Sequence, residues 1–176
     1  MMRRLLFIVL VLLPGAQTSL GQSLGWAALK QAVRLAYPDV YHLSPDSLAA
    51  WITSDAPAPL LLDVRTEAEF AVSHLRDAQR IAPETDDLTA LLALPRDTPI
   101  VAYCAVGYRS SAMARRLTEA GFTNVANLEG FIFAWANAGY RVYRDGRVVQ
   151  QVHPYDKIWG LLLDEKLRAY TPSPEH

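Results

Sequence analysis

Cysteine is all but missing from this chain: among 176 residues there is one, Cys104. An internal disulfide is therefore impossible, and disulfide-stapled scaffolds and zinc sites built on several thiolates are excluded with it. An excess of one charge is lacking too, with 17 basic against 18 acidic side chains and a formal net charge of -1. Nucleic-acid binding needs clustered Lys and Arg to displace counterions from phosphates, so no nucleic-acid partner is expected. Glycine (9) and proline (11) are too few for collagen-like or low-complexity sequence. His42, His74, His153 and His176 have no mutual spacing suited to metal ligation, so no metal site is expected; no cofactor is expected either. What remains is an ordinary soluble-type composition, 51% hydrophobic, at a length that suits one core.

The first residues read as a targeting segment. Arg3 and Arg4 precede the apolar run Leu5 to Leu13, which Pro14 and Gly15 end. The run is about half the length a helix needs to cross hydrocarbon. A basic start, a short apolar centre and small residues make an export signal over residues 1–21, cleaved after Gly21. The mature chain is then exported, to a periplasm-like compartment, with no stable membrane span. The alternative is an uncleaved signal that anchors the chain. Lipid attachment is excluded, because the lone thiol is far from the signal.

Beyond it the chain alternates helical and apolar strand patterns. An N-terminal helical segment occupies 22–39, with Trp26, Leu29, Val33 and Ala36 on one face and Pro38 as its stop. Ser44 and Pro45 open a second helix as N-cap and first residue. The apolar runs ending at Asp63 and Tyr103 suit strands buried on both faces of a parallel sheet. Between them Thr66 and Glu69 are spaced for a capping box, a short strand lies near Gln79 to Ala82, and Thr85 is expected to cap a helix through Leu92. A helix over Ser110 to Ala120, a strand over Val125 to Leu128 and a short helix carrying Ile132 and Trp135 complete the pattern. The fold class is α/β: a parallel sheet with helices on both faces. A C-terminal extension over 144–176 follows, with an Asp145-Gly146 hairpin turn, an apolar and helical stretch from Ile158 to Leu163, and a frayed end from Thr171. Trp26, Leu29 and Val33 are expected to pack on Ile158, Trp159 and Leu162.

Ligands of such sheets lie beyond the carboxyl ends of the strands, and Cys104 occupies that place. Between it and the next helix runs Ala105-Val106-Gly107-Tyr108-Arg109-Ser110. A short strand-to-helix loop can aim successive amides at one point. A cysteine sulfur at its centre would be held as a reachable thiolate by those amides, the helix dipole and Arg109. Gly107 supplies the backbone freedom of a tight cradle. The plainer alternative is a buried, inert cysteine at a strand end.

Leu62-Asp63-Val64-Arg65 with Glu69-Phe70, then His74-Leu75, then Cys104 to Arg109, then Leu128-Glu129-Gly130 and Trp135, resemble a rhodanese domain over residues 40–143. The resemblance implies a sulfurtransferase in which Cys104 takes sulfane sulfur from a donor such as thiosulfate, becomes a persulfide and passes the sulfur to a thiol or protein acceptor. It implies that the loop amides cradle the persulfide, that Arg109 receives the anionic donor, and that Asp63, Arg65 and Glu69 support the site. Asp63 is expected to pair with Arg65 or cap the next turn. Cysteine phosphatases of the same fold place one more residue between Cys and Arg, so the loop here favours sulfur over phosphate. Ser73 before His74, Arg76-Asp77 after Leu75, and Phe131 after Gly130 depart from the family pattern. Phe131 would restrict the donor or give an apolar wall. A non-catalytic module that holds an anion or a partner segment is the second functional class, because fold alone never proves activity. His153 is expected to be a surface or tail-docking residue. Oligomeric state is not legible.

Overall fold

The computed structural model describes residues 19–172. Residues 1–18 of the signal expected over 1–21, and most of the frayed end, lie outside the described residues. Among the described residues, no helix is long and apolar enough to cross a membrane.

Five parallel strands form the sheet: β1 (Tyr41–Leu43), β2 (Leu60–Asp63), β3 (Gln79–Arg80), β4 (Ile100–Tyr103) and β5 (Val125–Leu128), in the order β1-β5-β4-β2-β3. β4 is central, hydrogen-bonded to β5 on one side and β2 on the other, and every residue in it is buried. Successive strand side chains point to opposite faces, so the apolar run of β4 must feed two cores. Val101 and Tyr103 join Leu61, Leu128 and Phe133 on one face. Ile100, Ala102 and Cys104 join Leu62, Met113 and Leu117 on the other.

Helices cover both faces. α1 (Ser19–Ala36), α2 (Pro45–Ile52) and α6 (Phe131–Asn137) supply Leu29, Val33, Leu48, Ile132 and Ala136 to the first core. α4 (Thr89–Leu92) and α5 (Tyr108–Glu119) supply Leu91, Met113 and Leu117 to the second. α3 (Glu67–Val72) bridges β2 and β3 and carries the expected capping box: Thr66 accepts from the Glu69 amide while the Glu69 side chain accepts from the Thr66 amide. Ser44 caps α2 as expected, accepting from Ser47 N at 3.1 Å.

Three local expectations are corrected. α1 begins at Ser19, before the residues read as its start, and runs across the expected cleavage point. Thr85 caps no helix: its hydroxyl accepts from Asp87 N, the Asp87 carboxylate accepts from Thr89 N, and this nested turn delays α4 to Thr89. The C-terminal apolar stretch is a tight 3-10 turn over Trp159–Leu162, and Ile158 is 74% exposed instead of packing on α1. Leu162 does pack there, together with Trp26, Leu29, Val33 and Trp159. The hairpin of β6 (Val142–Arg144) and β7 (Arg147–Val149) turns through Asp145 and Gly146, both at positive φ, as a two-residue turn of this kind demands.

Candidate functional site

β4 delivers Cys104 to the carboxyl edge of the sheet, and the chain turns through Gly107 into α5. Gly107 has a φ of 88° and is the N-cap of α5, with no side-chain cap bond. That left-handed angle is one a side chain rarely adopts, so the turn is written by the glycine. The fold brings its amide back onto the cysteine: Gly107 N donates to Cys104 Sγ at 3.0 Å, and the Ser110 hydroxyl lies at 3.3 Å from the same sulfur. The Cys104 carbonyl accepts from Ile132 N at 3.2 Å, tying the loop base to α6.

Arg109, beside this turn, reaches α3. Its Nη1 donates to Glu69 Oε2 at 2.9 Å and its Nη2 to Oε1 at 2.8 Å, a two-pronged pair. Glu69 is 2% exposed and also serves the capping box, so one carboxylate joins the start of α3 to the start of α5. Burial opposes its charge, yet Arg109, the Thr66 amide and Arg65 together hold its carboxyl below the usual range. Burial likewise opposes charge on Arg109, but Glu69 and the Cys104 sulfur beside it raise the guanidinium above its ordinary value.

Behind the loop lies a fully buried ion pair, in which Arg65 Nε donates to Asp63 Oδ1 at 2.8 Å and Nη2 to Oδ2 at 2.6 Å. Nη2 also donates to the Ser73 carbonyl at 2.6 Å, and the Arg65 guanidinium sits 5.7 Å from the Tyr103 ring centre. The Tyr103 hydroxyl accepts from Leu75 N at 3.0 Å. Asp63, Arg65 and Tyr103 therefore brace the ends of β2 and β4 against the turn after α3. The expected pairing of Asp63 with Arg65 is present.

A rhodanese-like domain model matches residues 44–138. The chain belongs to that family. A sulfurtransferase from Allochromatium vinosum is 35% identical over 86 residues, covering 49% of this chain and 79% of the relative. The probable adenylyltransferase/sulfurtransferase MoeZ of Mycobacterium tuberculosis is 34% identical over 95 residues, 53% of this chain. This chain spans only 24% of the length of MoeZ. Among solved structures, a thiosulfate sulfurtransferase from Pseudomonas aeruginosa superposes with a TM-score of 0.54 at 31% identity, covering 60% of this chain and 20% of that one.

Within this rhodanese-like domain, the expected loop residues divide. Cys104, Gly107, Arg109 and Ser110 converge with Glu69. Ala105 and Val106 are buried in the opposite core, so their side chains do not line the site. Tyr108 is 39% exposed and meets Tyr37 edge-on at 6.3 Å. The expectation of a reachable sulfur ringed by amides is corrected: Cys104 is 0% exposed, and Gly107 alone among the described residues gives it a backbone amide. The physical reason is strand parity. Cys104 continues the face of Ile100 and Ala102, which α5 roofs with Met113 and Leu117.

Sequence reasoning missed one participant. Tyr155, in the C-terminal extension, lies over Arg109 with the guanidinium carbon 5.0 Å from its ring centre. His153 also comes near, within the electrostatic reach of Glu69 and Arg65, and burial holds its imidazole below the ordinary range. No local motif marks either residue. The available signal was the neighbouring apolar stretch, which docks the extension on α1.

Proposed function

We propose that the chain is an exported sulfurtransferase that moves sulfane sulfur from an anionic donor such as thiosulfate to a thiol or protein acceptor through a persulfide on Cys104. The observation that carries the reading is the placement of the Cys104 sulfur at the N-terminus of α5, within hydrogen-bond reach of Gly107 N and the Ser110 hydroxyl. Membership of the rhodanese-like family and the sulfurtransferase names of its relatives support the same chemistry. The basic start and short apolar run of residues 1–21 support export.

In the first displacement the Cys104 thiolate attacks the outer sulfur of thiosulfate. A Cys104 S–S bond forms, the donor S–S bond breaks, and sulfite leaves with the electron pair. In the second, the acceptor thiolate or another nucleophile attacks the outer persulfide sulfur and Cys104 leaves as thiolate. Two displacements through one nucleophile need no second cysteine, and the chain has none. The Gly107 amide and Ser110 hydroxyl face negative charge on sulfur, and the positive end of α5 acts in the same sense. Arg109 attracts the anionic donor, and Glu69, Asp63 and Arg65 hold the frame. Because Cys104 is shielded at rest, transfer requires the loop to open. The rate is then scaled by the fraction of time the loop is open.

The second reading, a non-catalytic module for an anion or partner segment, is favoured by one observation: the complete burial of Cys104. Steady-state thiocyanate formation from thiosulfate and cyanide separates the two. Turnover that is abolished in Cys104→Ala supports the enzyme, whereas no turnover with several sulfane donors supports the module.

A further inference from the structure

We propose that Tyr155 is a positioning residue for Arg109, so that the C-terminal extension, outside the family-matched residues, completes the sulfur-transfer site. The functional consequence rests on the sulfurtransferase reading; the contact itself does not. Three observations carry the inference. The Arg109 guanidinium carbon lies over the Tyr155 ring, 5.0 Å from its centre, while Glu69 takes two of its donors. A cation gripped by a two-pronged carboxylate and held over a ring is constrained from two sides. Without the ring, the guanidinium is free to tilt about the carboxylate.

Tyr155 also has a φ of 65°, in the left-handed region that a bulky side chain rarely adopts. Tyr155 is 41% exposed, so burial of the residue does not explain the angle. Strain of this kind persists where the surroundings over-determine it, and it clusters at sites of function.

The surroundings here are specific. Tyr155 N donates to His153 Nδ1 at 3.1 Å, and the His153 ring meets Tyr170 edge-on at 5.4 Å. On the other side Asp156 Oδ1 accepts from Ile158 N and Trp159 N, both at 2.8 Å. Pro154 packs so tightly on Gly160 that a Cβ there would sit 2.8 Å from the proline Cβ. The buried Leu162 and Leu163 then anchor the turn in the core shared with α1. The turn is thus held from both ends, and the residue at its apex faces Arg109.

Tyr155→Gly separates positioning from stability, because glycine accepts the left-handed angle without strain while losing the ring. The expected result is an unchanged or raised melting temperature, a KM for thiosulfate raised about two- to fivefold, and kcat within about twofold. Tyr155→Phe keeps the ring and is expected to restore the wild-type KM. A readout independent of turnover is the Arg109 Nε–H resonance by NMR. Its ring-current displacement is expected in the wild type and Tyr155→Phe, and is expected to vanish in Tyr155→Gly. An Arg109 resonance unmoved by Tyr155→Gly, or a KM unmoved while Arg109→Ala changes it, overturns the proposal. A wild-type chain with the displaced resonance but no sulfur transfer supports the positioning contact and defeats the sulfurtransferase reading instead.

Discussion

The ring of Phe131 lies directly against the α-carbon of Gly107, where a Cβ would overlap the ring atoms Cε1, Cζ and Cδ1. Phe131 itself has a φ of 62° and is 1% exposed. Glycine is therefore demanded at 107 twice, by the left-handed turn and by the ring, and the aromatic side chain expected at the rim is a buried strut beneath the loop. Gly107→Ala is expected to cost about 1–3 kcal/mol from overpacking and about 1 kcal/mol more from the backbone angle.

Phe131→Gly tests which effect dominates at the other partner. Relief of the left-handed angle returns about 1–2 kcal/mol, whereas removing a buried ring costs about 3–5 kcal/mol, so a net loss is expected. In the double variant the overlap is gone, and the two losses are expected to sum to less than their separate values. Denaturant midpoints with unchanged slopes measure all of these.

Removing Arg65 strands the Asp63 carboxylate, since both side chains are 0% exposed. Arg65→Leu is expected to lower stability by about 3–5 kcal/mol. The double variant Asp63→Leu with Arg65→Leu is expected to recover most of that loss, because no charge is then left buried. A double variant as unstable as Arg65→Leu would show that the pair matters for its shape and not for its charge.

Acid sensitivity has a defined sign. Glu69 has a depressed carboxyl, so its contribution is complete above the ordinary 4.5 and is lost as pH falls through its folded value. His153 and His42 are depressed chiefly by burial, so they are neutral in the fold, and stability declines as pH falls below their ordinary 6.5. Unfolding midpoints from pH 8 to 3 are expected to decrease in two stages. Glu69→Gln is expected to lower stability at pH 7 by about 1–3 kcal/mol and to flatten the more acidic stage. His153→Asn is expected to flatten the upper one.

Much of the fold was legible because its signals are local. The Thr66 and Glu69 capping box, the Ser44-Pro45 helix start, the buried runs of β2 and β4 and the Asp145-Gly146 turn each state their geometry within a few residues. The Asp63 to Arg65 pair was legible for the same reason. The burial of Cys104 follows from strand alternation, which places it on the face of Ala102, whereas the loop motif by itself points to an exposed sulfur. Thr85 misled because its hydroxyl satisfies a turn before the helix begins. Tyr155 was not legible, since a contact to Arg109 depends on where Leu162 and Leu163 dock the extension, a long-range consequence of packing.

Intact mass spectrometry after incubation with thiosulfate reads out whether Cys104 carries sulfur. One added sulfur atom is expected on the native chain, released by a thiol acceptor and absent from Cys104→Ala. Loading is expected to be slow, because the sulfur is shielded until the loop opens. A native chain that gains no sulfur from thiosulfate, polysulfide or mercaptopyruvate, or Cys104→Ala that gains it equally, would rule out Cys104 as the sulfur carrier.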